Sequence, residues 1–369
     1  MHSYREESAR LDDALFALIE GWHRGGHDVV DDEFDTLALR VFAYQLRYNE
    51  PYARYCASLG VTLDRPPSSW HGIPPLPSAA FKEATIATFD PARAELVFET
   101  SGTTQGVGGK HYMERAALYD AALIAGFDRL MLPDHQRLRY FNLVPARAER
   151  PQSSLGYMMA QVSAARANGA GFYLRGDALL MDPFLADLSV AIERRTPVCI
   201  AATAFALVHL LDAMRERDLF VALPTGSRIM ETGGFKGRSR VVERDQLYDE
   251  LCECFGMPRD AIVAEYGMTE LTSQWYDDVL VAKRPDDGVR YKVAPPWLRA
   301  RVVGPDGTTL PDGTVGAIVH VDLANRSSCL AIQTEDLGVR FERGLVLIGR
   351  EAGASLRGCS LDAEDLVRR

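Results

Sequence analysis

Between residues 114 and 265, short apolar runs alternate with longer stretches of helical periodicity. Helical spacing is read over 114–131, 155–167, 184–195, 204–217 and 239–255, and strand-length runs over 138–144, 197–202, 227–231 and 261–265. Strands separated by helix-length segments do not pair as hairpins, because each crossover returns the chain to begin the next strand in the same direction. The pattern therefore predicts an α/β fold of βαβ units around a largely parallel sheet, with ligands at the carboxyl ends of its strands.

The flanks read differently. Residues 4–22 carry Leu11, Leu15, Leu18 and Ile19 at helical spacing, and residues 33–59 carry Phe34, Leu37, Val41, Tyr44 and Tyr48 likewise. His23 and His27 stand four apart, but Gly25 and Gly26 break the helix that would align them as ligands,. From Pro66 to Pro77 a proline-rich stretch predicts an extended connector that buries Trp70 and Ile73,. Beyond residue 288 the apolar period drops to two, with turns at Pro305-Asp306-Gly307 and Pro311-Asp312-Gly313, which predicts a small antiparallel β unit,. The expected division is 1–80 for the helices and connector, 81–287 for the α/β core, and 288–369 for the β-rich part with the C-terminal segment.

Composition excludes several classes. A net charge of -10, with no basic run, argues against a nucleic-acid binder,. No apolar segment reaches transmembrane length, which argues against membrane insertion, and the polar N-terminus lacks the apolar core of a signal peptide,. The 6 cysteines are scattered, so a reducing cytoplasm is the expected setting,. Cys252 and Cys254 form C-x-C inside a helical pattern with no second ligand pair nearby, which disfavours a metal there.

The chemistry concentrates around Glu99–His111, ETSGTTQGVGGKH. It follows the apolar run Leu96-Val97-Phe98, read as a strand end. Thr100, Ser101, Thr103 and Thr104 stand among Gly102, Gly106, Gly108 and Gly109, and Lys110 closes the run. Glycines bring backbone N–H groups close to an anion, hydroxyls add donors and the lysine adds charge. That suits a polyphosphate, though the spacing is not that of a Walker loop, which would need glycine at Thr104 and Ser or Thr at His111.

Four further stretches follow in order. Residues 230–239 end a strand in Gly233 and Gly234, where a flat ring can lie against the backbone,. Residues 264–271, AEYGMTEL, offer Tyr266 for stacking, then Gly267, Thr269 and Glu270 on one tight turn; Glu270 suits Mg²⁺ held together with phosphates,. Residues 332–341, IQTEDLGVRF, place Asp336, with Glu335 as the fallback, at an expected strand end where a carboxylate can take two ribose hydroxyls,. Residues 347–366 hold Arg350, expected just after a strand, and Cys359.

This ordered series resembles the adenylate-forming superfamily of acyl-CoA synthetases, luciferases and peptide-synthetase adenylation domains, over roughly residues 95–366,. Within it the chain looks most like the acyl-protein synthetases of the bacterial luminescence fatty-acid reductase complex, through IPPLPSAAFKE before the loop, SSLGYMM at 153–159 and the ending RGCSLDAEDL. The resemblance implies the superfamily's large domain, with the chain ending where most members begin a mobile C-terminal domain. It implies ATP and Mg²⁺, a carboxylic acid substrate (a fatty acid in this family) and a partner protein that accepts or reduces the acyl group. By the same resemblance the Thr100–Thr104 segment and Lys110 hold the phosphates, and Gly233, Gly234, Tyr266 and Gly267 hold the adenine. Thr269 contacts the adenylate phosphate, Glu270 binds Mg²⁺, Asp336 takes the ribose, Arg350 the ribose or phosphate, and Cys359 accepts the acyl group. Two departures stand out. Gln105-Gly106-Val107-Gly108-Gly109 replaces the usual Gly-x-Pro after the threonine pair, and no residue matches the lysine of the mobile domain. Two other readings remain open on the residues alone: a ligase that loads coenzyme A or a carrier protein, and a non-catalytic acyl- or nucleotide-binding partner.

Overall fold

Helix α1 (Tyr4–Gly25) begins at a reciprocal cap in which Ser3 and Glu6 each bond the other's backbone, and stops at Gly26, whose φ of 71° is the left-handed conformation that glycine adopts without strain,. The structure, a computed structural model, describes residues 3–26, 29–100, 108–233, 243–282 and 288–350. The single helix expected over 33–59 is two, α2 (Asp31–Tyr48) and α3 (Glu50–Ser58). The break has a local cause: Asn49 caps α3 by accepting from Tyr52 N, and Pro51 behind it has no N–H to continue α2,.

The connector buries Trp70 and Ile73 as expected and ends in a short strand, β1 (Leu76–Pro77), and a single turn, α4 (Ala80–Glu83). Then come β2 (Leu96–Glu99), β3 (Lys110–Met113), α5 (Ala116–Leu130), β4 (Arg139–Pro145), α6 (Ser154–Arg166), β5 (Ala170–Arg175), β6 (Ala178–Leu179) and α7 (Met181–Glu193). They are followed by β7 (Val198–Thr203), α8 (Ala204–Arg215), β8 (Arg228–Thr232), α9 (Arg244–Phe255), β9 (Ile262–Tyr266) and β10 (Trp275–Asp277). The chain closes with β11 (Lys292–Val293), β12 (Leu298–Val303), β13 (Val315–Asp322), β14 (Ala331–Phe341) and β15 (Gly344–Arg350).

These elements form two compact units. One is drawn from Met1–Gly126, Met268–Gln274 and Tyr291–Arg369, the other from Phe127–Gly267 and Trp275–Arg290. The second unit is the expected α/β layer. Its strand order is β10-β9-β8-β7-β4-β5-β6, and β5, β4, β7, β8 and β9 are parallel. The antiparallel strands β6 and β10 were not expected from sequence. Phe141, Ile200, Ile229 and Ile262 stand in register on one sheet face and pack against Phe184, Leu207, Leu211, Leu247 and Leu251 of α7, α8 and α9.

The first unit contains the antiparallel sheet β12-β13-β14-β15-β11, with β1 laid parallel on β14, and the separate pair β2-β3. The glycines of the two Pro-Asp-Gly turns, Gly307 and Gly313, both take positive φ, as the turn reading required,. At the centre of this unit lies a charge cluster. Arg326 is buried, with Nε 2.7 Å from Asp12 of α1 and Nη1 3.3 Å from Glu114. Removing one member of a buried pair leaves the other desolvated and uncompensated, which costs more than the pair itself contributes. Arg326→Met should therefore leave Asp12 facing only the half-exposed Arg115 at 3.5 Å. The expected loss is about 3 kcal/mol, to be read from the urea midpoint at an unchanged slope.

Candidate active site

The glycine- and threonine-rich stretch is pinned at its two ends. Thr100 N donates to Gly109 O at 2.9 Å, and Gly109 N donates to Thr100 Oγ1 at 2.8 Å. A Cβ on Gly108 would come within 2.6 Å of Thr100 O, so the approach of the two ends excludes any other residue there,. Ser101, Gly102, Thr103 and Thr104 lie outside the described residues. Lys110 opens β3 directly opposite Glu99 of β2 and pairs with its carboxylate at 3.4 Å, both side chains being partly exposed.

The next residue, His111, points the other way and is fully buried. Its Nδ1 lies 2.8 Å from Thr269 O and its Nε2 2.9 Å from Asn325 Oδ1. The amide nitrogen of Asn325 donates to Glu270 O and Cys329 O, both at 2.8 Å, which fixes Oδ1 toward the imidazole. Both partners of the ring therefore accept, and a neutral ring has one N–H to offer them. Burial pushes the pKa of His111 down to about 4, against the pull of these two acceptors,.

Thr269 and Glu270 sit on the turn closed by Leu271 N donating to Met268 O at 3.1 Å, as the sequence indicated. Behind that turn, the buried Asp322 carboxylate accepts from Thr272 N, Ser273 N, Ser273 Oγ and Ala324 N at 2.8–3.1 Å. Burial lifts the Asp322 pKa to about 6, while the donors oppose the shift. Glu270 is buried. Among the described residues no three His, Cys, Asp or Glu side chains gather to hold a metal by themselves. A single buried carboxylate fits Mg²⁺, which keeps its waters and takes substrate phosphates for its other ligands.

Asp336 lies within the eleven-residue β14, a correction to the expected strand end. The strand continues past it because Leu337–Phe341 pair onward with β13 and β15. Thr334 explains the Thr-x-Asp spacing: its buried hydroxyl donates to Ile318 O and accepts from Asp336 N, both at 3.1 Å. Arg350 is the last residue of β15, where it had been expected just beyond a strand, and its Cα is the register partner of Asp336. Two residues fourteen apart in sequence are thus side by side on neighbouring strands. Glu335 is exposed on the alternate face.

In the second unit, Gly233 follows β8 with φ 71° and open space where a Cβ would be. Tyr266 ends β9, with Gly267 after it. The Thr232 hydroxyl donates to the buried Glu265 carboxylate across β8 and β9. Gly234 and Cys359 lie outside the described residues.

Sequence reasoning missed His111, Asp322, Asn325 and Arg326. His111 entered only as a mismatch to a Walker loop. The run DLANRSSCL at 322–330 reads as a solvated loop, and polar residue types do not reveal that it is buried.

A family described as "Acyl-protein synthetase, LuxE" matches residues 27–365. A long-chain-fatty-acid–luciferin-component ligase of Vibrio harveyi is 26% identical over 336 residues, covering 86% of this chain and 84% of that one. A solved 2-hydroxyisobutyryl-CoA ligase, in complex with 2-HIB-AMP and CoA, aligns with TM-score 0.65 at 15% identity, over 89% of this chain and 71% of that one. The McyG adenylation and carrier structure, complexed with phenylalanyl-adenylate, aligns with TM-score 0.50 at 19% identity; 72% of this chain matches, and it spans about half, 48%, of that one.

Two outcomes are expected. With Asp336 in the ribose-binding role that the resemblance implies, Asp336→Ala should cost about 1–3 kcal/mol in ATP affinity; equilibrium ATP binding checks this, and unchanged affinity would move the ribose site elsewhere. The second concerns His111 and His320, both buried neutral, with burial lowering each pKa from 6.5 to about 4 and Asp336 pulling the His320 value upward. The unfolded chain binds these protons first as pH falls. The stability present above pH 6.5 should therefore decline toward pH 4, by up to about 3 kcal/mol per histidine, measured as urea-unfolding free energy across that interval.

Proposed function

The chain belongs to the LuxE acyl-protein synthetase family, and from that premise we propose that it activates a fatty acid with ATP and passes the acyl group to a cysteine thiol. The family match over residues 27–365 carries the reading, because it spans every described motif residue. The name of the Vibrio harveyi relative supports a long-chain fatty acid as the substrate. The free thiols of Cys56, Cys199, Cys252, Cys254 and Cys329 suit a reducing cytoplasm, and no described helix is long and apolar enough to cross a membrane.

In the first step a carboxylate oxygen attacks the α-phosphorus of ATP, the bond to the β-phosphate oxygen breaks, and pyrophosphate leaves the acyl-adenylate. Such chemistry is mostly positioning and charge stabilisation. Lys110 holds the phosphates on the loop whose ends Thr100 and Gly109 close, and Thr269 contacts the adenylate phosphate. Asp336, with Arg350 beside it in register, takes the ribose. Glu270 would hold Mg²⁺, which would supply charge neutralisation on the phosphates. In the second step the Cys359 thiolate attacks the carbonyl carbon of the mixed anhydride, the bond to the phosphate oxygen breaks, and AMP leaves a thioester.

The experiment measures acid-dependent, Mg²⁺-dependent pyrophosphate exchange into ATP across fatty, aryl and amino acids, in the unmutated chain and in Cys359→Ser. Exchange should be greatest with fatty acids and should survive the substitution, while a hydroxylamine-labile acyl label on the protein should vanish. A label that persists in Cys359→Ser would assign the acceptor role to another thiol, coenzyme A or a carrier protein. Absence of exchange with every acid would favour a binding protein over an enzyme.

A further inference from the structure

The turn that carries Thr269 and Glu270 is gripped by two side chains outside the motif series. His111 takes the carbonyl of Thr269, and Asn325 takes the carbonyl of Glu270, each at 2.8 Å. The His111 ring and the Asn325 amide oxygen stand 2.9 Å apart, and both residues are buried. We propose that His111 and Asn325 are positioning residues for adenylation, which set the Thr269–Glu270 turn at a fixed place relative to the strand that carries Lys110. The inference rests on the reading of that turn as the phosphate and Mg²⁺ site.

Three observations carry it. First, Lys110 and His111 are consecutive on β3, and successive side chains of a strand point to opposite faces,. The strand that presents the cation on one side therefore fixes the turn on the other. Second, the Asn325 amide has no alternative orientation. Turning it over would set its oxygen against the carbonyls of Glu270 and Cys329, so its two hydrogens and its oxygen are committed together,. Third, the backbone behind Asn325 is itself held, since Gln45 Nε2 donates to Asn325 O at 2.9 Å and Asp322 accepts from Thr272 and Ser273 next to the turn. Capturing two successive carbonyls fixes the peptide planes on either side of Glu270, and so the direction in which its carboxylate leaves the turn. Groups that orient a charge-stabilising side chain in this way matter to rate as well as to folding.

The test measures pyrophosphate exchange in His111→Phe, His111→Gln and Asn325→Asp, each alone and combined with Glu270→Gln. The half-saturating Mg²⁺ concentration and the rise in melting temperature on adding Mg–ATP are read in parallel. His111→Phe and Asn325→Asp should lower kcat about tenfold or more and raise the Mg²⁺ requirement about threefold, with a smaller melting-temperature rise. His111→Gln, whose amide still donates to Thr269 O, should recover part of both. Combined with Glu270→Gln, the same substitutions should cost less than about twofold further, since their effect passes through that carboxylate. Normal kcat and Mg²⁺ requirement in folded His111→Phe or Asn325→Asp, or a full additional loss in the Glu270→Gln background, would overturn the inference and leave the pair a packing feature. Should His111→Phe not fold, Asn325→Asp and His111→Gln carry the test on the same criteria. Absence of exchange in the unmutated chain would overturn the reading of the turn itself, and the positioning role with it.

Discussion

The segment Asp322–Leu330 is buried from end to end, although it is a loop. Inside a protein its peptide groups have no water to bond, and each orphan costs about 1–3 kcal/mol, more than a satisfied bond contributes. The first unit is arranged around that constraint. Gln45 of α2 donates to the carbonyls of Asn325 and Arg326 and accepts from Leu330 N. Asn49 donates to Ser328 O while it caps α3, and Thr88 donates to Ser327 O through both its backbone and its hydroxyl. Arg326 is answered by Asp12, Glu114 and the Tyr44 hydroxyl. Helices α1 and α2 are thereby committed to one position, and so are β3 and the Thr269–Glu270 turn.

The charged lip of the loop is built on the opposite principle. Lys110 and Glu99 pair at 3.4 Å with both side chains partly exposed, and such pairs contribute about 0–1 kcal/mol. Lys110 can leave Glu99 at little cost, whereas the backbone beneath it cannot shift without breaking the buried bonds of His111. Rigid support under a loosely tethered charge suits a site whose chemistry is positioning with late charge stabilisation.

The α/β layer was legible because its signal is periodicity. The parallel strands β4, β7, β8 and β9 and the helices between them follow from apolar spacing alone. What spacing does not carry was lost: β5 is half-exposed with weak patterning, and β6 and β10 are too short to show a period. The division of 33–59 was visible in Asn49 and Pro51, but the apolar spacing runs through the break and outweighed it. Of the candidate site, the turn at 268–271 and the strand-end Gly233 could be read locally. The pairing of Asp336 with Arg350 could not, because β-register depends on which strands meet. Least legible was the role of Asn325, whose partners lie 55 and 214 residues away.

That last distance bears on how the chain is made. Gln45 and Asn325 are separated by 280 residues, and the first unit is drawn from three separate stretches of chain. The second unit needs nothing beyond Arg290. On a ribosome adding about 5–20 residues per second, α1 and α2 wait on the order of a quarter-minute to a minute for the loop they surround. Throughout that interval the carboxylate of Asp12 is without Arg326, and the side-chain amide of Gln45 is without the carbonyls of Asn325 and Arg326. The order of synthesis thus inverts the order of completion: the segment made first is closed last, and its exposure to chaperones is set by the length of chain between Gln45 and Leu330.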